Sequence, residues 1–397
     1  MTGRSPDGAG SGITGYSLVT CLGHGLAAHR DALAEGRSGL APCEIPQLPF
    51  ACHVGRVPGL ESLRFPDETA PYDNRATRLA LAALRADDFE ARVAGARERW
   101  GPGRCGLVVG TSTSGIERLE SVYRARAAGA PLPESYRTKY HDDHQAIAAF
   151  LQEQLGLTGP SYTISTACSS SAKALVDAAQ LIEAGVCDAV LAGGVDSLCL
   201  TSLNGFEGLQ LVSREPCRPC DAGRDGLSVG EGAAFLLLER DAPAGPRLSG
   251  YGESSDGVSM STPPTDGAGA AAAMRAALER AGLSAEQIGY VNLHGTATPS
   301  NDAAECAAVS AVFGPSVAAS SLKGAVGHTL GAAGAVEAVL CLIAQDQGLL
   351  PGNVGLETLD PRIACDIVAL PRRRDLAHVV SNAFGFGGNN CALVLSK

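Results

Sequence analysis

The sequence predicts an α/β protein, and three observations carry that reading. Short apolar runs alternate with longer helical stretches, several of the runs are apolar throughout, and glycines stand where the helical patterns end. The strand-like runs are residues 105–110 (CGLVVG), 162–165, 189–192, 233–238, 289–293, 317–320, 379–381 and 391–395. A run without a polar alternate residue fits a strand covered on both faces. The helical stretches are residues 26–35, 76–94, 143–154, 170–184, 269–280, 302–313 and 332–345. Gly36, Gly95, Gly185 and Gly282 fall where C-terminal caps are expected. Residues 212–232, rich in Pro, Arg, Asp and Gly, read as a long ordered loop, and no linker-like stretch separates domains.

Composition narrows the class of function. The chain has 397 residues, 45% of them hydrophobic, enough for a large core. A net charge of −11 argues against a nucleic-acid partner, which needs a basic face. No apolar run reaches the roughly 18–20 residues of a membrane span. The polar, glycine-rich start (MTGRSPDGAGSG) lacks the apolar stretch of a signal peptide. Residues 1–11 read as a disordered lead-in to a cytosolic protein whose thirteen cysteines are reduced. Cys217 and Cys220 form a CxxC without a second ligand pair, so they read as incidental thiols of a surface loop rather than a zinc site.

Four segments carry chemistry. In SYTISTACSSSAKAL a strand runs into a helix with Cys168 at the junction. The positive end of a helix favours thiolate there, and Ser169, Ser170 and Ser171 are able to cap the first turn. In YVNLHGTATPSND, His294 stands at a strand end before a glycine turn, ahead of Thr296 and Thr298. In SSLKGAVGHTLGAAGAVE, Lys323 and His328 flank a glycine-punctuated loop, and Glu337, two turns into the next helix, is available as counter-charge to Lys323. In SNAFGFGGNN a strand enters a glycine-rich turn with Phe384 and Phe386, which permits close backbone approach to a substrate. That turn lacks the spacing and the βαβ context of a dinucleotide site. Residues 226–230 match GxSxG but lack the strand–turn–helix setting of a hydrolase elbow. His141 and His144, with two Asp between them, read as a helix start rather than a metal site.

A cysteine elbow, then HGT, then KxxxGHxxGAAG, then GFGG, in this order, resembles the β-ketoacyl-acyl-carrier-protein synthases of the thiolase-like superfamily, in their elongating Cys-His-His branch. The likeness covers nearly the whole chain, including GGVDS at 193–197 and RPCDAGRDGLSVGEGAA at 218–234. It implies a five-layer αβαβα fold of two similar halves, residues 12–240 with Cys168 and residues 241–397 with His294, Lys323 and His328. It implies decarboxylative condensation of malonyl-carrier with an acyl group held on Cys168. The backbone N–H groups of Cys168 and Phe386 would form an oxyanion hole, with Phe386 as a gate. His294 and His328 would stabilise the enolate, and Lys323, paired with Glu337, would hold His328. Thr296 and Thr298 would bind the phosphopantetheine arm, Thr113 would line the acyl pocket, and Phe384 would contact substrate. No free cofactor or catalytic metal is implied. Asn292, Glu337, Ser381 and Asn382 match a monovalent-cation site of some relatives.

The implied partners are an acyl-carrier protein and either a second copy or a chain-length-factor-like subunit, with Arg214, Arg218 and Arg224 as a candidate docking patch. Leu322, Val326, Asn389 and the loop cysteines depart from common family residues. Together with GGVDS and the LNGF at 203–206, they point toward polyketide or aryl-polyene rather than housekeeping fatty-acid synthesis. Two alternatives stand beside this reading. A thiolase acting on CoA thioesters would want a second cysteine in a C-terminal Cys-x-Gly segment, whereas this chain has Cys391-Ala-Leu. A non-catalytic chain-length factor would usually lack the nucleophilic cysteine.

Overall fold

The computed structural model of the chain describes residues 11–134, 136–141, 143–242 and 244–397. The lead-in expected at residues 1–11 lies outside them except for Ser11, which already opens a strand. The strands of the N-terminal half are β1 (Ser11–Thr20), β2 (Cys105–Gly110), β3 (Ser161–Ile164), β4 (Ala189–Asp196) and β5 (Gly232–Glu239). Those of the C-terminal half are β6 (Arg247–Ser255), β7 (Tyr290–Asn292), β8 (Ala318–Ser320), β9 (His378–Gly385) and β10 (Asn389–Ser396). The longer helices are α1 (Gly25–Glu35), α2 (Arg75–Arg85), α3 (Phe89–Trp100), α4 (Ile116–Ala127), α5 (Ala146–Leu155), α6 (Ser170–Glu183), α7 (Leu200–Gly208), α8 (Ala268–Ala281), α9 (Asn301–Phe313) and α10 (Ala333–Gln347).

The second half repeats the topology of the first. The N-terminal strands lie in the order β3-β2-β4-β5-β1 and the C-terminal strands in the order β8-β7-β9-β10-β6. In each half the strand that follows the first long crossover, β2 or β7, pairs parallel with both neighbours. In each half the last strand, β5 or β10, runs antiparallel to both of its own. The halves join where β1 and β6 pair antiparallel, Ser11 opposite Leu248 and Gly12 opposite Arg247.

Burial explains the layering. All residues of β2, β4 and β5 are buried, as their unbroken apolar sequences require. Helices α6 and α10 lie between the two sheets and share one core with strands of both halves. Helices α2, α3 and α5 cover the outer face of the first sheet, and α8 and α9 that of the second. The result is the expected α-β-α-β-α succession. The two central helices approach closely because Gly334 has no side chain: a Cβ there would stand 2.6 Å from the Ala172 nitrogen.

Several local expectations change. The helix expected over residues 76–94 is two helices, broken at Asp87 and Asp88, which have φ of 56° and 55°. Asp87 turns its carboxylate onto the Leu26 N–H, 3.0–3.1 Å away, and so serves the start of α1. Gly95 lies inside α3, whereas Gly36 and Gly282 cap α1 and α8 at φ of 65° and 67°. Cys217 and Cys220 are not surface thiols: they are 2% and 0% exposed and pack as small apolar groups. The GxSxG match runs through a short strand (Val229–Gly230) into β5, with no helix following, so it is no hydrolase elbow. Asp143 accepts the Gln145 N–H at 2.9 Å just ahead of α5, which fits a helix start; Asp142 lies outside the described residues. Among the described residues no helix is long and apolar enough to cross a membrane.

Candidate active site

The cysteine sits on a strained elbow. Strand β3 ends at Ile164, α6 begins at Ser170, and Ala167 between them has φ of 54°, a conformation a residue with a Cβ rarely adopts. The serines that follow do not cap the helix, contrary to the expectation. Ser169 Oγ donates to Thr166 O at 2.9 Å and Ser170 Oγ accepts the Thr166 N–H at 2.9 Å, so both lock the elbow. Ser171 Oγ accepts the Ala335 N–H at 2.9 Å and thereby serves the start of α10 in the other half.

The C-terminal half brings the basic groups. His294 follows β7, and its backbone N–H and that of Gly295 donate to the Glu305 carboxylate at 2.7 and 2.8 Å. Asn382 Nδ2 donates to the same carboxylate at 3.0 Å. His328 Nε2 lies 2.9 Å from Cys168 Sγ. The ligand atoms of Cys168, His294 and His328 all lie within 4.8 Å of one another, and the two rings stand edge to face with centroids 5.4 Å apart. Lys323 Nζ contacts Glu337 Oε1 at 2.5 Å and His294 Nδ1 at 3.4 Å. The lysine therefore holds His294, not His328 as expected. Lys323 opens a short helix, Lys323–Val326, and reaches His294, while His328, just past Gly327, faces the Cys168 sulfur. All five side chains are nearly inaccessible.

A narrow cavity of about 60 Å³ leads to these groups. Cys168, His294, His328, Thr296, Thr298, Phe384 and Phe386 line it. That volume holds a few waters but is too small for an acyl chain. Thr113 does not line this cavity; its hydroxyl donates to Asp196 at 2.8 Å. Sequence reasoning missed Glu305, Asp196, Phe206 and Met260. Phe206 packs on both Phe386 and His328, with centroids 5.8 and 6.5 Å away. The Met260 carbonyl accepts the Gly387 N–H at 2.7 Å, tying a surface segment to the turn that carries Phe386. Asp196 and Phe206 lie in the GGVDS and LNGF motifs, but nothing in those motifs assigns them a role, and no local pattern announces Glu305 or Met260. They meet the site from separate segments.

Electrostatics correct a second expectation. The Cys168 thiol is pushed up to about 11, because burial outweighs the help of Lys323 and of the Phe386 and Cys168 backbone N–H groups. The helix end alone does not produce a resting thiolate. His294 and His328 are both held well below the usual imidazole value, first by burial and then by the charge of Lys323. Both rings are therefore neutral. A lysine ammonium donating to Nδ1 of His294 leaves the ring proton on Nε2, aimed into the cavity. His328 Nδ1 is buried without a partner. Buried N–H groups are rarely left unpaired, which places the His328 proton on Nε2 as well, facing the sulfur.

The remaining residues divide. Arg214 and Arg218 are at least partly exposed and pair with Glu207 and Glu357. Arg224 is buried, bound to Asp360 at 2.5 Å and Asp302 at 3.6 Å, so it is no part of a surface patch. Asn292 Nδ2 donates to Glu337 at 2.9 Å and Ser381 at 3.2 Å. Asn382, the next residue along β9, points to the opposite face.

Fold and site together define a thiolase-like acyltransferase architecture, with an elbow cysteine from one half facing two imidazoles and a lysine from the other. The chain matches the family described as beta-ketoacyl synthase, N-terminal domain, over residues 12–244, and its C-terminal domain over residues 247–357. It belongs to the β-ketoacyl synthase family. It is 31% identical to 3-oxoacyl-[acyl-carrier-protein] synthase 2 of Vibrio harveyi, over 97% of this chain and 98% of that protein. It is 32% identical to nodulation protein E of Rhizobium meliloti, with the same coverage. A chain of the complex between a ketosynthase and its chain length factor from Xenorhabdus doucetiae superposes with a TM-score of 0.92 at 35% identity, covering all of both chains.

Proposed function

We propose that the protein is an active β-ketoacyl-acyl-carrier-protein synthase that extends an acyl chain by decarboxylative condensation with malonyl-carrier. The observation that carries this is the 2.9 Å approach of His328 Nε2 to Cys168 Sγ, with His294 completing the group within 4.8 Å. A chain-length factor has no use for such a thiol. The thiolase reading is disfavoured because Cys391 is buried inside β10 and does not line the cavity.

In the first step Cys168 Sγ attacks the acyl thioester of the carrier. The bond to the carrier sulfur breaks, and the cysteine proton leaves with the departing thiol. The N–H groups of Cys168 and Phe386, which already face the sulfur, hold the tetrahedral oxyanion. In the second step malonyl-carrier loses CO₂, and the electron pair of the broken C–C bond becomes an enolate on the thioester. The Nε2–H groups of His294 and His328 stabilise its oxygen, and Lys323, neutralised by Glu337, keeps the His294 proton on that nitrogen. In the third step the enolate carbon attacks acyl-Cys168, and the thiolate leaves and is reprotonated from solvent. No strong base is needed, because the carbanion arises by loss of CO₂.

Phe386 is the gate that moves to admit malonyl, with Gly387 and Gly388, at φ of 80° and 74°, as the hinge; the narrowness of the cavity supports this. Thr296 and Thr298, which line the cavity with Oγ1 atoms 3.0 Å apart, bind the phosphopantetheine arm, and Phe384 contacts substrate. The functional halves are residues 12–240 and 241–397, and the protein acts in the cytoplasm. It works as a dimer with a second copy or with a chain-length-factor-like subunit. The likeness to a chain of the Xenorhabdus doucetiae ketosynthase–chain length factor complex favours the latter, and GGVDS, the LNGF at 203–206 and the loop cysteines favour a polyketide or aryl-polyene pathway. Arg214 and Arg218 remain the docking candidates for the carrier. A monovalent cation fits beside Asn292, whose buried Oδ1 has no partner, together with Glu337 and Ser381 but without the Asn382 side chain. A melting temperature that rises in K⁺ relative to an organic cation checks this.

The deciding experiment is intact-mass analysis after mixing with a panel of acyl-carrier thioesters. The protein gains one acyl mass and Cys168→Ala gains none. Loading that survives Cys168→Ala, or no loading from any carrier, overturns the reading.

A further inference from the structure

Asp196 ends β4 at the border of the two halves and is fully buried. Among the described residues no lysine, arginine or histidine pairs with it. Its carboxylate is instead saturated by donors. Oδ1 accepts Thr111 Oγ1 at 2.6 Å, Thr113 N at 2.9 Å and Thr113 Oγ1 at 2.8 Å. Oδ2 accepts Ser112 Oγ at 2.6 Å and Gly331 N at 2.6 Å, and the Ser112 N–H is shared between both oxygens at 3.0 Å. Ser112 Oγ is a second acceptor for Gly331 N at 3.3 Å.

The partners come from different halves. Residues 111–113 follow β2 in the half that carries Cys168. Gly331 follows His328 by three residues, in a turn where Leu330 has φ of 54°. The contact is too close for any other residue: a Cβ on Gly331 would stand 2.7 Å from Asp196 Oδ2 and 2.7 Å from the Ser112 nitrogen. A buried carboxylate without a cation is costly unless every lone pair is used. Here the donors that satisfy it are the ones that fix where the His328 turn sits against the first half.

We propose that Asp196 is a positioning residue for the reacting pair: one carboxylate clamps the His328 turn to the loop after β2 and so sets the approach of His328 to Cys168. Its charge also acts on the sulfur, since Asp196 is among the groups that raise the Cys168 thiol. The clamp therefore trades some thiol acidity for geometry. The proposal rests on Cys168 as acyl acceptor only through one of its two readouts.

The test compares Asp196→Asn with the intact protein in two reactions of the same sulfur. Alkylation by iodoacetamide, followed by intact mass across pH, reads the acidity of the thiol. Acyl loading from an acyl-carrier thioester reads the geometry. The expected result is that alkylation shifts to lower pH while acyl loading slows about tenfold or more, as misplacement of a reacting group does. Opposed changes of this kind are not produced by a general loosening of the fold, which would move both together. Parallel slowing, or loading within twofold of the intact protein, overturns the proposal. Should Asp196→Asn fail to fold, Ser112→Ala keeps the charge and removes one donor and the second acceptor of Gly331. Loading then falls with the alkylation profile unmoved, and unchanged loading overturns the proposal. Intact protein that alkylates at Cys168 but loads from no carrier overturns the ketosynthase reading instead, and the His328 Nε2–Cys168 Sγ distance in a crystal structure of Asp196→Asn then decides the role of Asp196: a distance unchanged from 2.9 Å overturns it.

Discussion

Lys323 Nζ lies 3.4 Å from His294 Nδ1 while it is bound to Glu337 Oε1 at 2.5 Å. One ammonium thus neutralises a buried carboxylate and fixes the proton of a buried imidazole. Lys323→Ala strands Glu337 as an uncompensated charge, at a cost of about 3–5 kcal/mol in stability. It also frees Nδ1 of His294 to take the ring proton. The expected result is a decarboxylation rate, read as CO₂ release from malonyl-carrier, lower by about 10²–10³-fold. Lys323→Met combined with Glu337→Leu recovers the melting temperature and leaves decarboxylation low. Recovery of both would show that the lysine serves only to balance charge.

The Cys168 thiol, raised to about 11 chiefly by burial, gives a clear pH signature. Alkylation by a small uncharged reagent should rise about tenfold per pH unit from neutrality until the pH nears that value. The native thiol keeps its proton up to about 11, whereas the unfolded one releases it near 9.0. Between those values the native state binds more protons, so this group's contribution to stability is complete below pH 9 and is lost as pH rises through 11. His294 and His328 act in the other sense. The native state holds them neutral well below 6.5, and their contribution is lost as pH falls beneath that value. Unfolding midpoints in urea, followed on Cys168→Ala and on the intact chain across pH 8–11, check the first window.

Arg224 and the exposed arginines should separate cleanly. Arg224→Ala strands the buried Asp302, leaves Asp360 with Arg362 as its remaining cation, and removes donors from the Thr298 and Pro299 carbonyls. A loss of about 3–5 kcal/mol is expected, seen as a large drop in melting temperature. Arg214→Glu and Arg218→Glu break partly exposed ion pairs, worth about 0–1 kcal/mol each, and with them the Arg214 contacts to the Phe50 ring and Ala51 carbonyl and the Arg218 bond to the Gly223 carbonyl. They are expected to raise KM for the carrier-linked substrate with alkylation of Cys168 unchanged. An unchanged KM rejects this docking site.

Gly334→Ala tests the packing of the central layer. The added methyl would stand 2.6 Å from the Ala172 nitrogen and 2.7 Å from its Cβ, so α6 and α10 must separate. Overpacking of this kind costs about 1–3 kcal/mol. Because both helices begin beside the reacting groups, acyl loading should fall along with the melting temperature. Differential scanning calorimetry and intact-mass loading on the same sample check both.

Much of the architecture was legible because its signals are local. The unbroken apolar runs at residues 105–110 and 233–238 are strands buried on both faces, and Gly36 and Gly282 end helices where left-handed backbone is needed. The break between α2 and α3 was not legible. It exists because Asp87 serves the N-terminus of α1, a partner distant in sequence. Glu305 was missed for the same reason: its role is to hold the His294 and Gly295 backbone, and nothing in its helix announces that.

By itself the sequence determined the α/β alternation and the elbow that presents Cys168, and its order of motifs carried the family resemblance that pointed to His294, Lys323 and His328. Strand period, turn residues and helix ends are properties of a few neighbouring residues. Only the tertiary structure decided that Lys323 meets His294 rather than His328, that Arg224 is buried, and that burial raises the Cys168 thiol. Those outcomes depend on how the two halves close over one another. Burial and the choice among competing hydrogen-bond partners are set by groups far apart in the chain.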